Sequence, residues 1–125
     1  MDATGDIAGW VPAAVLDGLG VRPQDADLTV VQFSTAFCGP CRATRARLRQ
    51  MATTRPGLAA VDVDAESHLD AVRALDVRVT PTLLFLAPDG RLLRRLDRAP
   101  RPGELAALVA AQLPAGRGAG EGSGV

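Results

Sequence analysis

The residues of this chain whose types and spacing suit chemistry are its two cysteines, which stand three positions apart in Cys38-Gly39-Pro40-Cys41. The strand-forming run 28–33 precedes them and a helical pattern follows them. At such a strand-to-helix transition, one thiol falls at the helix cap and the other lies one turn further in. The pair can therefore close a small disulfide ring or open to two thiols, which is the chemistry of thiol–disulfide exchange.

The cap position is expected to make Cys38 the more reactive thiol. Unpaired backbone N–H groups and the positive end of the helix dipole stabilise a thiolate there, by about 2 kcal/mol at most. Because only the thiolate attacks a disulfide, Cys38 is the predicted nucleophile and the more buried Cys41 the predicted resolving thiol. Pro40 is tolerated in the first helical turn and stiffens the ring.

Other uses of a cysteine pair need groups that this sequence does not offer. Structural zinc takes four protein ligands, and the chain has Cys38, Cys41 and one histidine, His68, so that only a site shared between subunits stays open. An iron–sulfur cluster meets the same shortage. A purely structural disulfide across so short a loop would constrain little chain. Dithiol–disulfide exchange needs nothing absent, and we expect no metal and no bound cofactor.

Composition predicts one globular domain and excludes several classes of partner. The 125 residues suffice for a core, built mainly from Ala, Val and Leu because 47% are hydrophobic and only 3% aromatic. Fourteen basic and fourteen acidic residues cancel, so we expect no nucleic-acid partner. No apolar run approaches the roughly 20 residues that span a bilayer, so we expect no membrane partner. The acidic, polar start at residues 1–6 is unlike a signal peptide, which favours the cytoplasm.

Hydrophobic patterning predicts four strands and four helices. The predicted strands are 28–33, 58–64, 82–87 and 91–96, and the predicted helices are 12–19, 43–51, 67–75 and 102–112. Strands and helices alternate and then finish in a hairpin and a helix, so we expect an α/β fold whose central mixed β-sheet is flanked by helices on both faces. Residues 1–27 are predicted to be an N-terminal helical segment of the same domain, 28–113 its core, and the Gly-rich 114–125 a disordered tail.

Three segments of the chain resemble one known family. Val-Gln-Phe-Ser-Thr-Ala-Phe-Cys-Gly-Pro-Cys-Arg (31–42) looks like the active-site segment of thioredoxins. Val-Thr-Pro-Thr-Leu-Leu-Phe (79–85) resembles the segment that carries their cis-proline, and Pro-Asp-Gly (88–90) resembles their last hairpin turn. The matches run in order and at family-like spacing over about 28–113.

The resemblance implies the thioredoxin fold and a protein-disulfide reductase that works through a redox-active Cys38–Cys41 disulfide. It implies that Pro81 is a cis-proline beside the cysteines and that the backbone of Thr80 pairs with an extended substrate. Protein disulfides and an NADPH-dependent thioredoxin reductase are the implied partners, and we expect a monomer. A redox-regulated binding protein, whose disulfide switches a partner interface without turnover, remains the alternative.

This sequence departs from the family pattern at three positions near the site. Gln32 stands where thioredoxins usually carry a buried aspartate, and a neutral amide cannot accept a proton from Cys41. Phe37 replaces a tryptophan, which we expect to keep the apolar cover over the cysteines. Arg98 falls where the family generally has a glycine beside the substrate groove. With Gly39 and Pro40, Phe37 and Gln32 form the predicted support of the active site.

Several side chains outside the motif are assigned structural places. Trp10 is expected to be a packing residue rather than a substrate platform, and His68 to lie at the exposed start of a helix without a catalytic role. Leu69 is expected to face inward. The arginines of the helix after the motif are predicted to form a solvated face: Arg42, Arg45 and Arg49.

Overall fold

A computed structural model describes residues 9–113 of the chain. Its centre is a four-stranded mixed sheet in the spatial order β2-β1-β3-β4, in which β1 runs parallel to β2 and antiparallel to β3. The strands are β1 (Leu28–Ser34), β2 (Leu58–Asp64), β3 (Thr82–Leu86) and β4 (Leu92–Leu96). Each prediction of a strand is confirmed, with ends that differ by one residue at most.

Four helices connect and cover these strands. They are α1 (Ala13–Leu19), α2 (Gly39–Thr54), α3 (Leu69–Ala74) and α4 (Glu104–Gln112), with short 3-10 turns at Pro23–Asp25 and Ala65–Ser67. Helix α2 starts four residues earlier than the pattern predicts, because Gly39 and Pro40 fit its first turn. The predicted helix 67–75 is shorter, since the Asp64 carboxylate accepts the N–H of Glu66 and the hydroxyl of Ser67 and holds a 3-10 turn before it.

The sheet is covered on both faces, as the alternation predicts. One core joins Val31 and Phe33 of β1 to α1 and α3, where Leu16 and Ala71 are buried. The other core lies on the opposite face, where α2 and α4 pack over the sheet; its buried members are Leu28, Val30, Leu48, Leu58, Leu83, Phe85, Leu96, Leu105 and Val109. Because β1 has no exposed residue, it is a rigid base for the loop that follows it.

One end of the sheet gathers the segments that carry the predicted site. Phe33 of β1 pairs with Thr82 of β3, and Leu83 of β3 pairs with Leu96 of β4. Continuing this register brings the residues before Thr82 and those after Leu96 to the end at which β1 runs into the cysteine loop. Segments 35–41, 79–81 and 97–98 therefore lie at the same end of the sheet.

The surface differs from the expectations at three side chains. Leu69 is 51% exposed rather than inward, because the 3-10 turn shifts the helical phase and Ala71 takes the buried position. Trp10 is 62% exposed and does not pack in the core. Arg45 is half-buried and bonds Asp62 across to β2, whereas Arg42 and Arg49 are exposed as predicted.

Two expectations fall on parts of the chain that the structure does not describe. The disordered tail predicted at 114–125 and the polar start at 1–6 both lie outside residues 9–113. Within the described range, none of the helices combines the length and apolar character needed to cross a bilayer.

Candidate active site

The two cysteines form a disulfide at the first turn of α2, with their Cα atoms 5.2 Å apart. Cys38 is the N-cap residue, and its sulfur accepts a hydrogen bond of 3.1 Å from the backbone N–H of Cys41. Cys38 is partly exposed, whereas Cys41 is fully buried. Of the two sulfur-bearing residues, Cys38 is therefore the one open to the surface.

The same contact prepares Cys38 for charge once the disulfide opens. The Cys41 N–H is one of the helix donors without a backbone partner in the first turn, and it already points at the Cys38 sulfur. A thiolate at this position gains a charge-assisted hydrogen bond together with the positive end of the 16-residue helix α2. Gly39 and Pro40 are exposed and form the turn that separates the two sulfurs.

Gln32 lies fully buried beneath the start of α2. Its Nε2 donates a 2.9 Å hydrogen bond to the backbone oxygen of Cys41, while its Oε1 has no partner among the described residues. The amide thus fixes the backbone that carries Cys41. It brings no charge to the site, and it cannot act as a base.

The sequence reasoning missed a polar group beside Gln32. The carboxylate of Asp62 on β2 accepts 2.9 Å from the Ser34 hydroxyl through Oδ1 and 3.0 Å from Arg45 Nε through Oδ2. These contacts tie the end of β1 and the second turn of α2 to β2. Asp62 alternates with Val61 and Val63 in the sequence, and this period of two cannot show which distant side chains bond the carboxylate.

The loop before β3 presents the second half of the site. The Thr80–Pro81 peptide bond is cis, as the resemblance implies. The Thr82 hydroxyl donates 2.8 Å to the oxygen of Val79 and closes a tight turn around this bond. Val79 is 48% exposed, so the backbone on the outer side of the turn stays accessible.

Arg95 of β4 holds the start of the same loop through hydrogen bonds to its backbone. Its guanidinium donates to the backbone oxygens of Leu75 (2.6 Å) and Asp76 (2.8 Å) and to the carboxylate of Asp97 (2.8 Å). Asp76 has a left-handed φ of 54°, and the chain turns there toward Val79. Arg95 therefore caps the end of α3 and sets where the cis-proline loop begins.

Arg98 follows β4 at the end of the sheet where the cis-proline loop lies, but it is not a free cation. Its two terminal nitrogens form a paired contact with Glu104 at the start of α4, at 2.7 and 2.8 Å. The backbone N–H of Arg101 donates to the same carboxylate at 2.8 Å. The Arg98 guanidinium, helped by this N–H, lowers the pKa of Glu104 to about 2, so the pair is ionised at neutral pH. The charge of Arg98 is thus paired within the chain.

Phe37 does not form the expected cover. Its side chain is 99% exposed beside Cys38 and shields neither sulfur. Burial of a loop side chain depends on what packs over it, and within residues 9–113 almost nothing covers this ring. An aromatic ring held in water next to the accessible sulfur is instead available to a partner.

His68 lies apart from the chemistry described so far. It precedes α3, and its Nδ1 lies 3.0 Å from the backbone oxygen of Asp64. Across residues 9–113, no group of three or more His, Cys, Asp or Glu side chains is arranged to hold a metal ion. The cysteine disulfide, the cis-proline and the buried glutamine are the groups that the fold brings together.

Comparison with known proteins identifies the family. The thioredoxin family model matches residues 21–111 of the chain, which include both cysteines and the cis-proline. This chain belongs to the thioredoxin family. Thioredoxin H4-1 of Oryza sativa subsp. japonica is 34% identical over 88 residues, covering 70% of this chain and 66% of the rice protein. Thioredoxin-1 of Caenorhabditis elegans is 29% identical over 65 residues, covering 52% and 56%.

Solved thioredoxin structures share the fold. The thioredoxin of Fasciola hepatica superposes with a TM-score of 0.64 at 22% identity, over 79% of this chain and 88% of that one. A mutant thioredoxin of Halobacterium salinarum gives 0.66 at 21% identity, over 91% and 97%. The prediction of a thioredoxin fold is confirmed. The matches span roughly half to two thirds of the first curated relatives, 66%, 48% and 56% of their lengths.

Proposed function

We propose that this thioredoxin-family protein is a dithiol–disulfide oxidoreductase that reduces protein disulfides through Cys38 and Cys41. The observation that supports it most is the difference in environment between the two cysteines. Cys38 is accessible and receives the Cys41 N–H, while Cys41 is buried behind it. An attacking thiolate and a resolving thiol need these two environments.

In the first step, Cys38 forms a mixed disulfide with the substrate. The Cys38 thiolate attacks one sulfur of a protein disulfide, a Cys38–substrate disulfide forms, and the substrate bond breaks. The second substrate sulfur leaves as a thiolate and takes a proton from water. The N–H of Cys41 and the dipole of α2 stabilise the Cys38 thiolate before attack, and the backbone of Thr80 offers a partner to the extended substrate.

The second step releases the product. Cys41 loses its proton, attacks the Cys38 sulfur and closes the Cys38–Cys41 disulfide, and the first substrate sulfur leaves as a thiol. Two electrons have then passed from the dithiol to the substrate. Gln32 holds the backbone of Cys41 in line for this attack, but the proton must go to water or to another base.

The cycle requires an external reductant to reopen the Cys38–Cys41 disulfide. We propose an NADPH-dependent thioredoxin reductase for this role, and the cytoplasm as the compartment, because reducing compartments keep catalytic cysteine pairs open. We also propose that the protein acts as a monomer and carries no further cofactor.

A redox-regulated binding protein would use the same disulfide without turnover. Insulin reduction driven by dithiothreitol separates the two functions. We expect many insulin disulfides to be reduced per protein molecule, well above the rate with dithiothreitol alone. A single equivalent reduced, with no acceleration afterwards, would favour the switch.

We predict that Arg98 restricts which substrates reach the groove. Replacement by the family's glycine should raise kcat/KM for insulin several-fold, because the variant removes a side chain that the Glu104 contact holds at the end of the sheet where the cis-proline loop lies. Arg101→Gly is the matched control, since it removes a neighbouring exposed arginine and keeps the N–H that Glu104 accepts. Equal rates for both variants would show that Arg98 does not limit access.

A further inference from the structure

The buried amide of Gln32 has one half with a partner and one half without. Its Nε2 donates to the backbone oxygen of Cys41 at 2.9 Å. Because a carbonyl oxygen can only accept, the nitrogen of the amide must be the atom that faces Cys41. The Oε1 of the same amide is fully buried and accepts no hydrogen bond from residues 9–113. A buried acceptor without a donor destabilises the state of the protein that contains it.

The strand register defines what surrounds this oxygen. Gln32 of β1 pairs with Asp62 of β2 on one side and with Leu83 of β3 on the other. Side chains of paired residues project from the same face of a sheet, so these three share one face. Helix α2 packs over that face, and Cys41 in its first turn is fully buried. The amide of Gln32 therefore lies in a closed compartment between the sheet and the start of α2.

The neighbouring polar groups in this compartment bond one another. The Ser34 hydroxyl donates to Oδ1 of Asp62 at 2.9 Å, and Arg45 Nε donates to Oδ2 of the same carboxylate at 3.0 Å. Arg45 also donates to the Ser34 hydroxyl at 3.4 Å. The charges that β2 and α2 bring to this compartment are thus paired with each other, and among the described residues none of these groups donates to Oε1.

Reduction of the disulfide creates a new donor in the same compartment. In the oxidised protein the sulfur of Cys41 is bonded to Cys38 and carries no proton. An external dithiol supplies two electrons and becomes a disulfide, the Cys38–Cys41 bond breaks, and one of the two protons released passes to the Cys41 sulfur while the other goes to solvent. Reduced Cys41 is then an S–H donor, on the residue whose backbone Gln32 already holds.

We propose that Gln32 raises the reduction potential of the Cys38–Cys41 disulfide, because its Oε1 lacks a donor in the oxidised protein and accepts the Cys41 S–H in the reduced one. Both effects stabilise the dithiol relative to the disulfide. The Nε2 bond to the Cys41 backbone contributes nothing to this difference, since a bond present in both states cancels. The proposal rests on the reversible opening of the disulfide that the proposed function requires, and Gln32 acts in it as a positioning residue.

Gln32→Met tests the oxygen, because methionine has a similar length and no strong acceptor. Thr29→Val is the matched control: the Thr29 hydroxyl is the other buried side-chain oxygen without a partner in residues 9–113, and it lies on the opposite face of β1. The full chains are equilibrated with glutathione buffers, and the reduced fraction is measured. We expect Gln32→Met to lower the equilibrium constant for reduction on the order of tenfold, which is about 30 mV toward negative potential, and Thr29→Val to leave it unchanged.

The S–H vibration of Cys41 gives a second readout that does not depend on how well the Gln32 variant folds. Cys38→Ala leaves Cys41 as the only thiol of the chain, so its S–H stretching band in the Raman spectrum can be assigned. We expect the band at the lowered frequency of a hydrogen-bonded thiol, and a rise in frequency when Gln32→Met is added. A band already at the frequency of an unbonded thiol in Cys38→Ala alone would overturn the proposal.

The potentials also separate this proposal from the reductase function. Equal potentials in the wild type and Gln32→Met would refute the role of Gln32, and a disulfide that still opens reversibly would leave the reductase function standing. An equal shift in Thr29→Val would likewise refute it, since any unsatisfied oxygen of the core would then have the same effect. A wild-type disulfide that neither glutathione nor dithiothreitol can open would contradict the reductase function itself.

Discussion

Replacing Cys41 by serine is expected to trap the protein on its substrates. Cys38 remains at the helix cap. It loses its disulfide bond to the Cys41 sulfur but keeps the hydrogen bond from the backbone N–H of residue 41. It can therefore still attack a disulfide, but no thiol is left to resolve the product. Non-reducing gels and mass spectrometry should show mixed disulfides through Cys38, on the order of tenfold or more above those of the wild type.

The reciprocal variant is the matched control for this result. Cys38→Ser leaves only Cys41, which is fully buried and lacks both substrate access and the cap position. We expect it to trap little, and the doubly substituted protein to trap nothing. Equal trapping by the two single variants would contradict the assignment of Cys38 as the nucleophile.

Resolution of the mixed disulfide is expected to be slow near neutral pH, because Gln32 supplies no base. Cys41 lies in a buried environment that disfavours the charged thiolate, and the side chain that bonds its backbone oxygen, Gln32, is a neutral amide. Rapid-mixing kinetics of mixed-disulfide decay should therefore show a rate that rises with pH. A constant, fast rate from about pH 6 to pH 9 would mean that water or another group already serves Cys41.

Gln32→Asp tests the same point by adding a carboxylate. We expect it to quicken resolution near pH 7 by about tenfold, at the low end of what a positioned base contributes. Gln32→Asn is the matched control, because it has the length of aspartate without the charge. A carboxylate could also oppose the neighbouring thiolate by like-charge repulsion. Resolution slower in Gln32→Asp than in Gln32→Asn would show that repulsion prevails and that a base at residue 32 does not help.

The parts of the structure that follow from local rules were predictable from the sequence. Apolar runs and the alternation of apolar and polar residues predicted all four strands. Successive side chains of any strand point to opposite faces of its sheet, so this pattern can be recognised in the sequence without knowing the rest of the fold. The position of Cys38 at the cap followed from the run of strand formers, the proline and the helical pattern after it. The two cores on opposite faces followed from the order of the elements.

The side-chain environments that the sequence could not predict depend on contacts between distant segments. Arg98 and Glu104 meet because a loop turns back onto the start of α4. Their separation in the sequence does not distinguish this ion pair from two separate, solvated charges. Arg45 reaches Asp62 only because α2 lies over β2. Phe37 and Trp10 have apolar side chains that usually pack, and their exposure could be seen only once the elements around them were in place.

The reduction potential of the Cys38–Cys41 disulfide tests most directly whether this protein donates electrons to protein disulfides. It can be measured by equilibrating the full chain with glutathione or dithiothreitol buffers of known potential and quantifying the free thiols. A reductase of this family should lie near the roughly −270 mV of thioredoxin, below the about −180 mV of protein disulfide isomerase. A value near −180 mV or the about −120 mV of a strong oxidant would contradict the proposed direction, because 30 mV in this couple corresponds to about 1.4 kcal/mol.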